Sequence, residues 1–178
     1  MWQVETVEVT GAEPVTLAQA KEQLEVQSND WDTLLTRLIR TARGEVERRT
    51  GQLLRAQTIV ITFESFADPM MLPRAPIAAV TDLTYGATVI ADFQFRTVLG
   101  IPTLRPALLS RWPSTLETVA VAATAGYPDG ACPDALQHAI LLLVADWFRD
   151  REATTTEVRG PLAVGLDALL SDFKISWC

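Results

Sequence analysis

The sequence is poor in the residues that most often carry catalysis and metal binding. Among its 178 residues there are one histidine and two cysteines, and one of the cysteines, Cys178, is the last residue. Two cysteines cannot build a disulfide framework, and a single histidine leaves too few ligands for a zinc cluster of cysteine and histidine side chains. We therefore expect neither a disulfide-rich secreted domain nor a structural zinc site.

Long apolar runs and positive charge are also scarce. The longest uninterrupted apolar stretch, residues 139–145, is far too short to span a bilayer, and no basic segment followed by an apolar one opens the chain. The net charge of -7 argues against general nucleic-acid binding, which needs a basic surface. Because 48% of the residues are hydrophobic, the chain can still bury a core. These features predict a soluble protein of a reducing compartment.

Two helices are predicted near the start of the chain. Thr16 and Gln19 have the spacing of a capping box, so a first helix begins there and ends near Glu25 or Val26. A second helix is predicted from Asn29, and Gly51 is placed to end it in a left-handed conformation. Its apolar residues recur at helical spacing and form one stripe: Leu34, Leu35, Leu38, Ile39, Ala42 and Val46.

The middle of the chain has the composition of β-structure. β-Branched and apolar residues predict strands over 57–63, within 73–86 and within 117–127. Shorter strands are predicted around 88–90, 93–96 and 103–104, and prolines mark the connections between them. Helical periodicity returns after Pro133 and again around residues 166–173.

These elements predict an α+β fold: a small helical bundle of about four helices, with a β-rich section inserted between helices two and three. The expected division is an N-terminal helical part over 1–56, a β-rich insertion over 57–127, and a C-terminal helical part over 128–178.

Charge is distributed unevenly along the N-terminal part. Residues 1–33 carry seven acids against one lysine, whereas residues 34–49 carry five arginines against two glutamates. Opposite charges on neighbouring segments suit head-to-tail contacts between copies of the chain; the alternative is two solvated helix faces.

Glycine and proline are concentrated in the stretch TAGYPDGACPDAL, residues 124–136. Its glycine spacing fits neither a P-loop nor a dinucleotide-binding fingerprint, and its prolines remove backbone donors that a phosphate would need. We interpret it as a turn from a strand into a helix.

Candidate catalytic groups are few. Cys132 lies six residues before His138 across a helix start, which gives little support for a thiol and its general base, so a structural cysteine is the preferred interpretation. Asp146 and Asp150 are spaced i, i+4 on the third helix, but a metal site needs three or more ligands. We therefore assign no catalytic, cofactor-binding or metal-binding residue.

The C-terminal segment is apolar and aromatic, with Phe173, Ile175 and Trp177 close together. Because chain termini usually fray, such a segment is typical of docking onto a partner; the alternative is that it packs on its own bundle.

The motifs, taken in order, resemble the head–tail connector (adaptor) proteins of long-tailed phages and of phage-derived gene transfer agents. They are VTLAQAKEQLEV, DTLLTRLIRTARGEVERRTGQLL, QTIVITF, LPRAPIAAVTDLTYG, VAATAGYPD, PDALQHAILLLVADWFRDRE and DALLSDF. The resemblance covers nearly the whole chain, and the order and spacing of the motifs carry it.

The resemblance implies a ring, typically of twelve copies, in the particle neck beneath the portal, with a stopper or tail component on the other side. DNA would pass through the lumen, and neither catalysis, a cofactor nor a membrane is implied. The particle would be assembled in the bacterial cytoplasm.

The resemblance also implies roles for particular residues. The C-terminal segment would contact the portal through Phe173, Lys174, Ile175 and Trp177. Because a ring repeats one interface between unlike surfaces, we expect the acidic segment to meet the arginine face of the second helix. The residues assigned to this interface are Glu22, Glu25, Arg37, Arg40, Arg43 and Arg48.

Alternatives remain open from sequence. Arg40, Arg43 and Arg48 would instead contact DNA phosphates if they faced the channel, an arrangement that we rank lower because a strong grip hinders passage. The protein would otherwise be a stopper or tail terminator of the same neck, or a small cytoplasmic enzyme using Cys132 or an acidic pair.

Overall fold

The structure is a computed structural model that describes residues 2–149 and 161–175, with the backbone alone for residues 161–164. The chain divides into two compact units. A strand unit comprises the described residues up to Ala12 together with Arg55–Pro128, and a helical unit comprises Glu13–Leu54 and the described residues from Asp129 onward.

The described residues of the helical unit form four helices and a final short turn. In chain order they are α1 (Leu17–Leu24), α2 (Asp32–Thr50), α3 (Asp134–Arg149), α4 (Pro161–Leu170) and a 3-10 turn (Ser171–Phe173). Helices α2 and α3 pack against each other, α1 contacts both, and α4 contacts α3 and α2. No helix in the described part of the chain combines the length and apolarity needed to cross a membrane.

Local sequence sets the ends of these helices. The Thr16 hydroxyl accepts a hydrogen bond from the Gln19 N–H at 3.2 Å, and the Gln19 side chain accepts one from the Thr16 N–H at 2.8 Å. The predicted capping box is therefore confirmed. Gly51 ends α2 with a φ of 77°, as predicted, but α2 begins at Asp32 rather than at Asn29.

The core of the helical unit comes from the predicted apolar stripes. Successive turns of α2 and α3 bury side chains that recur every three or four residues, as expected for amphipathic helices. The buried residues are Leu35, Ile39, Ala42 and Val46 on α2 and Leu136, Ala139, Ile140, Leu143 and Val144 on α3.

The strand unit contains two antiparallel sheets. The strands are β1 (Trp2–Val9), β2 (Gln57–Phe63), β3 (Met70–Met71), β4 (Ile77–Tyr85), β5 (Thr88–Val89), β6 (Phe93–Val98), β7 (Ile101–Pro106) and β8 (Val119–Ala125). The larger sheet has the order β1-β2-β8-β4-β5, and the smaller has the order β3-β7-β6.

Strands β2 and β8 form the centre of the larger sheet, and both alternate between buried and half-buried residues. Ile59 and Ile61 on β2 pair with Ala123 and Val121 on β8, and all four side chains are buried. Directly paired residues of an antiparallel sheet share a face, so these strands line the core of the unit.

The predicted helical bundle with an inserted β-section is wrong, although the fold is α+β. The described chain is 33% helical and 31% strand, and its eight strands build two sheets. Strand β1 precedes the first helix and pairs with β2, so strand structure also lies outside the predicted insertion. The prediction failed because the core-facing periodicity of the helices was obvious, whereas β1 is an exposed edge strand with little apolar alternation.

Candidate functional site

The arginines assigned to the subunit interface divide into two pairs. Arg37 and Arg40 lie on the N-terminal half of α2, are exposed, and have no ion-pair partner among the described residues. Together with Trp31 and Leu34 they line an open groove along the first turns of the helix. These two guanidinium groups are therefore available to a partner.

Arg43 is engaged within the helical unit. Its Nε lies 2.9 Å from Glu13 Oε2 and its Nη1 lies 2.7 Å from Glu47 Oε2. Burial lowers the pKa of the Arg43 guanidinium, but the carboxylates of Glu47 and Glu13 raise the pKa by more, so the charged form is favoured. Arg43 thus ties the segment before α1 to the second half of α2.

Arg48 is also paired within the chain. Its Nε and Nη2 donate to the two carboxylate oxygens of Glu45, each at 2.8 Å, and Arg49 Nε donates to Glu45 at 2.7 Å. The hydrogen bond from Arg48, together with that from Arg49, lowers the pKa of Glu45 to about 2. Arg48 is nevertheless 70% exposed, so its outer side remains open to solvent.

The acidic residues assigned to the same interface lie at the end of α1. Glu22 and Glu25 are exposed, and neither side chain has an ion-pair partner in the part of the chain that the structure describes. Glu25 ends the helix in a left-handed conformation with a φ of 55°. As far as the structure describes the chain, it thus presents two free carboxylates at the end of α1 and two free guanidinium groups on α2.

The C-terminal segment is attached to the end of α2. The Gln52 side-chain amide donates to the Phe173 carbonyl at 2.8 Å, and the Ile175 N–H donates to the Thr50 carbonyl at 2.9 Å. Lys174 is the exposed member of this segment, with Nζ 3.5 Å from Asp167 Oδ1. Trp177, the other residue assigned to portal docking, lies outside the described residues.

Cys132 does not have the environment of a catalytic thiol. Its side chain is buried, and burial, reinforced by Glu47 and Asp134, raises its pKa to about 11. Within the described residues no hydrogen bond joins Cys132 to His138, which is exposed. The thiolate is therefore disfavoured at neutral pH.

The described residues contain no cluster of three or more histidine, cysteine or carboxylate side chains that could hold a metal ion. Asp146 lies on α3, but Asp150, its suggested partner, lies outside the described residues. The stretch 124–136 is the predicted turn: β8 ends at Ala125 and α3 begins at Asp134.

Sequence reasoning missed an exposed apolar loop in the strand unit, residues 107–116, which we name the leucine loop. Leu108 is 81% exposed, Leu109 is 99% exposed and Leu116 is fully exposed. The signal was the adjacent leucines of PALLSRWP, which have no helical or strand periodicity and are flanked by prolines.

The leucine loop is attached to the strand unit by aromatic stacking. The ring of Trp112 stacks on Phe66 with centroids 5.0 Å apart, and Phe66 meets the edge of Tyr85 at 5.9 Å. Offset and edge-on aromatic contacts of this kind stabilise a fixed arrangement. The loop therefore has an anchored tryptophan and outward-facing leucines.

Comparisons with known proteins agree with the sequence resemblance. Residues 14–88 match the model of the family described as "Phage gp6-like head-tail connector protein". No curated protein sequence matches the chain significantly.

Three solved structures from gene transfer agent (GTA) particles contain a similar chain. A chain of the empty-particle neck, computed with C6 symmetry, is 23% identical with a TM-score of 0.82, covering 99% of this chain and 97% of that chain. The native-particle neck, computed with C12 symmetry, gives 23% identity, a TM-score of 0.80 and the same coverage. The native GTA virion gives 22% identity, a TM-score of 0.79 and coverage of 98% and 96%.

These likenesses show a shared fold over nearly the full length of both chains, and the family match adds a sequence relationship over α1, α2 and strands β2 to β4. The resemblance of this chain to the phage head–tail connector family is therefore confirmed.

Proposed function

We propose that the chain is a structural adaptor in the neck of a phage or phage-like particle. Copies form a ring under the portal, join the DNA-filled head to the stopper or tail, and leave a channel for DNA. The observation that carries this function is the match of 99% of this chain to 97% of a chain from a GTA neck. The correspondence runs through both units, and the connector-family match over residues 14–88 supports it independently.

The ring is supported by the symmetry of the similar particles. Their necks were computed with C6 and C12 symmetry, and a closed ring repeats one interface between two unlike surfaces. We propose twelve copies, and we propose that Glu22 and Glu25 of one copy meet Arg37 and Arg40 of the next. Arg43 and Arg48, assigned to the same interface from sequence, would contribute indirectly: Arg43 joins α2 to Glu13, and Arg48 pairs with Glu45 within α2.

The C-terminal segment is proposed to dock on the portal through Phe173, Lys174, Ile175 and Trp177. The hydrogen bonds of Phe173 and Ile175 to the end of α2 support a fixed starting point for this segment. The exposed ammonium group of Lys174 supplies a polar contact, and Trp177 is of the residue type that most often dominates binding at an interface.

We propose no catalytic step in this function. The buried Cys132, with its raised pKa and without a hydrogen bond to His138 in the described chain, supports a structural role for that cysteine.

Co-assembly tests the proposed function. The chain is mixed with the portal protein of the same particle, and the complexes are imaged by electron microscopy. We expect a ring of this chain stacked on the portal ring. Absence of both a ring and portal binding would contradict the function, whereas a monomer in isolation would not, because the portal can act as the template for assembly.

Portal docking by the C-terminal segment is tested with point variants, because deleting residues 173–178 would also remove the hydrogen bonds that attach this segment to the end of α2. Lys174→Gln combined with Trp177→Ala is expected to weaken portal binding while leaving the unfolding temperature unchanged. Asp172→Asn is the matched control, since it removes one charge from an exposed residue of the preceding turn. Equal portal binding by all three proteins would contradict the docking role.

A further inference from the structure

The leucine loop presents more apolar surface than isolated surface leucines normally do. Leu108, Leu109 and Leu116 are all at least 81% exposed, and they belong to one loop anchored by Trp112. Scattered exposed leucines need no explanation, but a cluster on an anchored loop is typical of an interaction site.

The backbone of the loop is strained where the leucines are most exposed. Leu109 has a φ of 66°, in the left-handed region that disfavours residues with a Cβ. The Ser110 N–H donates to the Ala107 carbonyl at 2.9 Å and closes a turn around this residue. The turn thus holds the Leu109 side chain in solvent. Because this side chain is 99% exposed, its packing does not offset the strain of the left-handed backbone conformation.

A second unpartnered surface lies on the same unit, along β1. This strand is the edge of the larger sheet, with β2 on one side and no strand of the described chain on the other. Trp2, Val7 and Val9 are 49%, 63% and 45% exposed. Glu5 and Glu8 are also exposed and have no ion-pair partner among the described residues.

The two surfaces carry opposite charge around apolar centres. Residues 105–116 contain Arg105 and Arg111 and no carboxylate, whereas residues 2–9 contain two glutamates and no basic residue. Both arginines are exposed, without an ion-pair partner in the described chain. Glu117, just after the loop, has its carboxylate against Gly86 in the β4–β5 turn instead.

The larger sheet separates these surfaces. The loop is anchored through Phe66 to Tyr85 at the end of β4, and strands β8 and β2 lie between β4 and β1. Three strand spacings amount to about 14 Å. Because Leu108, Leu109 and Leu116 are at least 81% exposed, the leucine loop does not use these side chains to cover the β1 edge of its own copy.

We infer that the leucine loop of one copy docks on the β1 edge of the next copy, so that the strand units form an apolar, charge-flanked contact around the ring. The inference rests on the proposed function for its ring and adds an interface that neither the family match nor the arginine face of α2 supplies. Two different surfaces meet, which is the arrangement that a cyclic ring repeats. The bulge at Val7 and the two glutamates discourage indiscriminate strand pairing, so side chains rather than a continuous sheet carry the contact.

Disulfide cross-linking tests the contact in assembled rings. In a Cys178→Ser background, Leu109→Cys and Val7→Cys are combined, the rings are assembled on the portal, and oxidised samples are separated on a denaturing gel. We expect a ladder of cross-linked bands, from dimer to larger oligomers. Such a ladder arises because every copy contributes one introduced cysteine at each of its two interfaces. A variant with only one of the two introduced cysteines should give no ladder, since the remaining native Cys132 is buried.

Leu99 supplies a matched control. It is 97% exposed with a φ of 51°, close to the values of Leu109, but it lies at the tip of the β6–β7 hairpin, at the end opposite the leucine loop. Leu99→Cys combined with Val7→Cys is expected to give no ladder. A ladder equal to that of the Leu109 pair would show that the cross-links report random collision and would overturn the inference.

The outcomes separate this inference from the proposed function. Rings seen by microscopy without a Leu109–Val7 ladder would overturn the inference and leave the adaptor function standing. A cross-link from Leu109→Cys to the portal or to a stopper would also overturn it, because the loop would then face another protein. If the parent chain forms no ring and binds no portal, the proposed function itself fails.

Substitution gives an independent measure. Leu108→Ser combined with Leu109→Ser is expected to raise the concentration needed for half-assembly about tenfold, whereas Leu99→Ser leaves it unchanged. Arg111→Glu should weaken assembly in a salt-sensitive manner, and Glu8→Arg in the same chain should restore it. Unchanged assembly in the double serine variant would contradict the contact.

Discussion

Gly126 shows how one residue fixes the path of the chain as it leaves the larger sheet. Its φ is 92°, and its N–H donates to the Pro76 carbonyl at 2.9 Å. A Cβ at this position would collide with the Arg55 carbonyl. Both the backbone angle and the space therefore require glycine.

Gly126→Ala is expected to destabilise the protein by about 3 kcal/mol, because it combines left-handed strain with a backbone clash. Gly130→Ala is the matched control: Gly130 has a φ of 74°, but a Cβ added there would meet no atom within 4 Å, so only about 1 kcal/mol of strain is expected. Urea unfolding of both variants measures the difference. Equal losses of unfolding free energy in the two variants would show that the Arg55 carbonyl shifts to accommodate the Cβ at position 126, so that the clash costs nothing extra.

At the scale of elements, α2 combines a well-packed face with a charge network at its C-terminal end. Arg48 and Arg49 lie in the last turn, where positive charge interacts favourably with the helix dipole, and both donate to Glu45. This arrangement makes the stability of the helix end depend on the ionisation of Glu45.

The pKa of Glu45 is lowered from its ordinary value of 4.5 to about 2, so its stabilising effect is complete above pH 4.5 and disappears as the pH falls towards 2. Glu45→Gln should therefore show a smaller fall in unfolding temperature between pH 5 and pH 2 than the parent chain. Glu22→Gln, which changes an exposed glutamate without an ion-pair partner in the described chain, should keep the parent profile. Identical profiles for all three proteins would exclude this contribution.

Elements that are determined by neighbouring residues could be predicted from the sequence, whereas an element determined by pairing with a distant segment could not. The capping box at the start of α1, the Gly51 cap and the span of β2 were predicted correctly, because capping residues and alternating burial are local signals. The end of α1, predicted near Glu25 or Val26, lies at Leu24, with Glu25 as its cap. Strand β1 was missed because only Val4 is half-buried, so its place is set by pairing with β2, about fifty residues away.

The candidate surfaces were predictable to a smaller extent. Sequence placed Arg37, Arg40, Arg43 and Arg48 on one helix, but their spacing could not show that Arg43 and Arg48 have carboxylate partners within the chain. The leucine loop has no periodicity, and its exposure depends on the stacking of Trp112 on a residue from another segment. The predicted division at residues 56 and 127, like the interface and tail residues, stays a prediction.

For the whole molecule, the net charge of -7 and the two exposed arginines at the start of α2 bear on how copies meet and how DNA passes. Arg37 and Arg40 are the members of the predicted interface whose guanidinium groups are free of ion pairs in the described chain. Contact with Glu22 and Glu25 of another copy would neutralise the charges of these two arginines. Without that contact, the two guanidinium groups would be available to bind DNA phosphates.

Arg40→Glu is expected to reduce ring assembly on the portal, and Glu25→Arg in the same chain is expected to restore it. Arg48→Gln, at an arginine already paired with Glu45, should change assembly little. Assembly is measured as the fraction of portal rings that carry the adaptor ring at increasing salt. Normal assembly of Arg40→Glu with weakened, salt-dependent DNA binding would favour the phosphate contact instead.

The position of β8 has a consequence for synthesis of the protein. It is the last strand in the described chain, yet it lies between β2 and β4 in the larger sheet. On the ribosome, the β1–β2 pair and the β4–β5 hairpin must wait with open edges until residues 119–125 emerge and join them. A nascent chain therefore completes the larger sheet in one step, and the edges of its two halves stay exposed until β8 has emerged.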